Sequence, residues 1–181
     1  MSGRRLSRYG AAAGLIALCG LLLLLAGCPF SSDKPLSDPE SAVPEPGLLG
    51  TWKMQDPDSH EWHQLTIFPF DQHEMVAFAP ENDLSKVSGF RLFVTRVGRE
   101  RFLNLQELGA SEPGWFFARL ELDQNHLHLW IVDDSLFDTR SFDSPSELAE
   151  FVLVHLSDPR LYVSGDDHPA EAVLERVPDR P

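Results

Sequence analysis

The chain has 181 residues, with 28 acidic side chains against 15 basic ones and a formal charge of -13. Such an acidic body is repelled by phosphate backbones and anionic lipid headgroups alike, which argues against nucleic acid as a partner and against membrane attachment through surface charge. Twelve Phe and four Trp suffice for one ordinary core but not for two domains.

The first element is an export signal over residues 1–27. Arg4, Arg5 and Arg8 come without an acid, an apolar run follows from Ala11 to Ala26, and small residues end it, which is the tripartite order of a secretory leader. The run is at the low edge of what crosses a bilayer as a helix. No basic stop-transfer cluster comes after it, which disfavours the alternative of an uncleaved anchor. Residues Leu6-Ser7-Arg8 after the arginine pair fit a twin-arginine signal poorly.

Leu25-Ala26-Gly27-Cys28 resembles the lipobox of bacterial lipoproteins. The resemblance implies cleavage between Gly27 and Cys28, a diacylglyceryl thioether on Cys28 and acylation of the new amine, palmitate being the usual label for it. Two or three chains on one residue anchor firmly where one does not. With Pro29 and not Asp after the cysteine, the resemblance further implies an outer-membrane address facing the periplasm, in an organism with two membranes. Cleavage removes Cys19 and three arginines, which moves the formal charge to -16 and leaves no thiol for a disulfide. The fold must then rest on packing.

Residues 28–47 are Pro, Ser, Asp and Glu with few apolar side chains, the composition of a disordered, lipid-anchored tether. The domain is expected over 48–177, with a tail at 178–181. Period-two alternation marks strands: Phe90, Leu92 and Val94; Phe116, Ala118, Leu120 and Leu122; Leu127, Leu129 and Ile131. Further strands are expected at 48–55, 62–68, 74–78, 101–107 and 172–177. Short turns at Asp71-Gln72, Gly98-Arg99 and Asp123-Gln124-Asn125 imply antiparallel neighbours. Ser144-Pro145-Ser146-Glu147 carries an N-cap, a first-position proline and a capping glutamate, so a helix is expected over about 145–156. The fold class is therefore mainly β: an antiparallel up-and-down meander of about eight strands with one helix before the last.

Gly50-Thr51-Trp52 in the first of these strands resembles the opening of lipocalin-like (calycin) barrels, and the layout is similar to that of small bacterial lipoproteins with the same start. The resemblance implies a β-barrel whose Trp52 packs under an arginine near the last strand, Arg176 being the candidate. It also implies non-covalent binding of a small apolar ligand, with Phe90, Leu92, Phe116, Ala118, Leu120 and Leu129 lining the interior. Small barrels either hold one ligand or fill themselves with side chains, so that choice stays open. The family's Thr-Asp-Tyr turn and Arg-x-Tyr clamp are absent.

Other chemistry is sparse. His60 and His63 flank Glu61, with Asp56 and Asp58 just before, and His126 and His128 lie on one face of a strand edge. Both pairs have a metal-ligand look, but tetrahedral zinc needs about four ligands, and two histidines three apart suit a helix better than a loop or strand, so solvated turn residues are expected. Asp133-Asp134 and Asp166-Asp167 lack the spacing of a calcium loop. No nucleophile elbow, free cysteine, phosphate loop or zinc-peptidase motif occurs, so neither an enzyme nor a cofactor is expected. Phe93, Trp130 and the Trp115-Phe117 pair fall on outer strand faces. Either the helix covers them or they contact another envelope protein, which is the alternative function.

Overall fold

The computed structural model describes residues 29–55, 60–80, 87–137, 140–163 and 170–178. The strands are β1 (Ser31–Ser32), β2 (Gly50–Gln55), β3 (Trp62–Pro69), β4 (Met75–Pro80), β5 (Val87–Val97), β6 (Glu100–Glu107), β7 (Trp115–Leu122), β8 (His126–Ile131) and β9 (Glu171–Arg176). From β2 to β8 each strand pairs antiparallel with the next, and β9 pairs with both β8 and β2. The eight strands β2 to β9 thus close into a barrel that leaves no edge among them to attract a foreign strand. One α-helix, α1 (Pro145–His155), precedes the last strand. The expected class, strand count and helix position are all present.

Local chemistry explains the joints. The Asp71 carboxylate accepts from the backbone N–H groups of His73 and Glu74, and Asp123 does the same for Asn125 and His126. Each aspartate closes its hairpin by standing in for a backbone acceptor. Gly98 takes a φ of 64° in the β5–β6 turn, a conformation that glycine adopts at no steric cost. At the start of α1, Ser144 Oγ accepts from Glu147 N at 3.2 Å, and Glu147 Oε2 accepts from Asp143 N at 2.8 Å. One of the helix's orphan donors is satisfied there, together with the N–H just ahead of the cap.

Alternation along the strands sorts the apolar side chains into two layers. The inner layer fills the barrel with residues such as Trp52, Ile67, Leu92, Val94, Leu120, Leu127 and Leu174. The outer layer lies against β5 to β8 and contains Phe93, Phe102, Trp115 and Phe117, covered by Leu148 and Val152 of α1. The outer rings are therefore covered, which was one of the two readings of them.

The segment 29–47 differs from the expected tether. Phe30, Leu36 and Ala42 are buried in the outer layer. Phe30 stacks on Phe137 with centroids 3.7 Å apart. Backbone N–H groups of Phe30 and Val43 donate to Val132 and Val94 carbonyls at 2.9 Å, and Ser31–Ser32 pairs with β7. Leu36 N donates to the fully buried Asn104 side chain at 2.8 Å, whose own amide donates to Thr95 Oγ1. Glu45 forms an ion pair with Arg101. Ordering here comes from a few buried rings and long-range hydrogen bonds, not from a periodic apolar face. Five prolines in these residues also reduce the freedom the unfolded segment has to lose. The segment is a strap, and among the described residues the folded unit already includes 29–47.

Candidate functional site

The resemblance places a site inside the barrel, and the strands bring the expected residues together there. Leu92, Ala118 and Leu129 line the space left in the interior, with Ile67, Leu103 and Ile131 among their neighbours. Phe90 and Leu120 belong to the same core, and Phe116 packs on it while partly exposed. That space is about 20 Å³ with walls that are apolar throughout. It has room for about one water molecule, whereas pockets for small organic ligands run to hundreds of cubic ångströms.

The barrel floor is built as the Gly-x-Trp start implies. The Arg176 guanidinium carbon stands 4.2 Å from the centre of the Trp52 ring. Arg176 donates to the Leu49 carbonyl at 2.8 Å and also to that of Gly47, and Trp52 Nε1 donates to the Leu48 carbonyl at 2.8 Å. The pair therefore ties the end of the strap to the last strand. Gly50 has a φ of 118°, and a Cβ built there would lie 3.0 Å from Arg176 Nη1, so glycine serves both the backbone and the pair. Outside the floor, Pro44, Pro46, Leu49, Pro69 and Met75 surround a shallow recess of about 190 Å³.

The outer wall is uneven. Thr66, Phe68, Val76, Phe78 and Gly89 share one outward face of β3 to β5, because Thr66 registers with Phe78, Phe68 with Val76, and Phe78 with Gly89. No strap or helix packs over them among the described residues. Phe68 is 47% exposed and Phe78 40%, with their rings 6.3 Å apart. Gly89 leaves a shallow place between Phe78 and Leu108, whose atoms would lie 3.3 and 3.4 Å from a Cβ there. Trp62, Phe70 and Val87 are exposed at strand ends. Sequence reasoning singled out none of these residues, because alternation gives both faces of β3 and β4 an apolar set and does not reveal which one acquires a cover.

Of the two histidine pairs, His126 and His128 each lie against a carboxylate. His126 Nδ1 lies 3.3 Å from Asp123, and His128 pairs with Glu171 across β8 and β9. Among the described residues no group of three or more His, Cys, Asp or Glu could hold a metal ion. Asp133 caps a short turn through Ser135 N at 2.8 Å. Asp56, Asp58, Asp166, Asp167, Gly27 and Cys28 lie outside the described residues. No helix among the described residues is long and apolar enough to cross a membrane.

No protein family, curated protein or solved structure matches this chain.

Proposed function

We propose that the chain is an exported lipoprotein, held on a membrane of the cell envelope by acyl groups on Cys28, whose barrel works by non-covalent binding on its outer wall. The observation that carries the second half is the contrast between a filled interior and the bare aromatic face of β3 to β5. An apolar face left open on an acidic protein suits a partner protein with an apolar centre and a basic rim. Ligand binding inside the barrel, to which the fold is suited in kind, requires core side chains to move aside first. The outer face requires no such change.

A photo-crosslinking residue at Phe68 or Phe78, introduced in the native cells, tests the reading. Adducts with one protein are expected at both positions and none at Glu175, an exposed site on β9. A bare face that yields no adduct removes the proposal. The anchor is tested separately: Cys28→Ala is expected to abolish acylation and leave the uncleaved precursor, and normal processing would refute the lipid assignment.

A further inference from the structure

A second pocket lies on the covered flank, independent of both the anchor and the bare face. It measures about 210 Å³ and is lined by Arg119 of β7, Trp130 of β8, and Leu156, Asp158, Pro159 and Tyr162 of the connection after α1. The Arg119 guanidinium lies over two rings, its carbon 4.1 Å from the centre of Trp130 and 5.4 Å from that of Tyr162. Three other arginines of the domain hold a carboxylate closely. Arg91 pairs with Glu74, Arg101 with Glu45, and Arg160 donates to Asp158 at 2.7 Å. Among the described residues Arg119 pairs with no carboxylate but Glu121, at 3.6 Å, beyond ordinary hydrogen-bond length. Arg119 Nε–H and the hydroxyl of Tyr162 are buried with no acceptor outside the pair among the described residues. The Arg119 side chain lies within reach of the Tyr162 oxygen, which leaves the hydroxyl proton unmet, and Tyr162 is 5% exposed. Native proteins seldom leave such groups unmet, since each costs about 1–3 kcal/mol.

We infer that this pocket receives a small organic carboxylate, its oxygens on Arg119 and Tyr162 and its apolar body against Leu156 and Pro159. A planar guanidinium held against aromatic rings is preorganised for the two oxygens of a carboxylate. Glu100, Glu121, Asp158 and the carboxyl end of α1 oppose an anion, so weak binding is expected.

The test is a titration of the isotope-labelled full-length protein with benzoate, and with benzyl alcohol as its uncharged match, followed by NMR at the Trp130 indole and the Arg119 Nε–H. Benzoate is expected to saturate, with the alcohol at least about tenfold weaker. Arg119→Gln should abolish the benzoate response. Should that variant fold poorly, Tyr162→Phe removes one hydroxyl and is expected to weaken binding. The inference is overturned if benzoate gives no saturable shift, if the alcohol binds as well, or if both variants bind like the parent. The two donors would then be met by water alone.

Discussion

The two flanks of the barrel wall begin from similar sequence patterns and end differently. On the flank of β5 to β8, Phe93 and Phe102 are 0% exposed, beneath the strap and α1. On β3 and β4, Phe68 and Phe78 point outward from equally regular strands and stay 47% and 40% exposed. An outward aromatic on a barrel strand is therefore not informative in itself. What distinguishes the flanks is whether another segment carries the complementary hydrogen bonds. Asn104, buried on the covered side, supplies the acceptor for Leu36 N that fixes the strap.

The comparison is most sharply drawn by paired truncations. Phe102→Ala should cost about 3–5 kcal/mol of unfolding free energy, while Phe78→Ala should stay within about 1 kcal/mol. Denaturant melts of the two variants measure the difference, and similar losses would erase the distinction between the flanks. Next in size is Asn104→Leu, which strands the Leu36 N–H and is expected to cost about 1–3 kcal/mol. Amide exchange at Leu36 and Val43 should accelerate more than at the barrel strands.

Arg176→Met removes the cation over Trp52 and two hydrogen bonds to strap carbonyls, for an expected loss of about 2 kcal/mol. The same melts read it. The smallest effect belongs to the exposed turn at Asp158, whose carboxyl is lowered to about 2, first by hydrogen bonds from the Arg160 side chain and then by that residue's backbone. Because the folded value lies below the ordinary 3.8, the turn's contribution is present above that range and disappears as pH falls through about 2. NMR titration of the Asp158 carboxyl should show it still ionised at pH 3. A midpoint near 3.8 would mean that Arg160 does not hold it.

The inner layer of this fold was legible because period-two alternation is a local property: Leu92, Ala118, Leu120 and Leu129 could be assigned inward from their own strands. The helix was legible for a similar reason, since Ser144, Pro145 and Glu147 act within one turn. Gly50-Thr51-Trp52 led to Arg176, 124 positions after Trp52, only through a family resemblance. The strap was not legible, because Phe30, Leu36 and Ala42 recur only every sixth residue, too sparsely to mark the face of a helix or strand, and the partners of Phe30, Leu36 and Val43 at Val132, Asn104 and Val94 lie far along the chain. The size of the interior space was hidden too. It depends on how side chains from opposite walls meet, which no single strand records. Arg119 escaped notice because its meaning lies in what fails to pair with it.

The measurement closest to the centre of this account is native mass spectrometry of the full-length protein extracted from its own cells. The account predicts a complex with one partner protein that dissociates in the Phe78→Asp variant, and a barrel chain whose mass shows no non-covalent apolar ligand once covalent lipid is allowed for. A released chain that carries a lipid-sized molecule lost only on denaturation would contradict it, and would place the binding site inside the barrel.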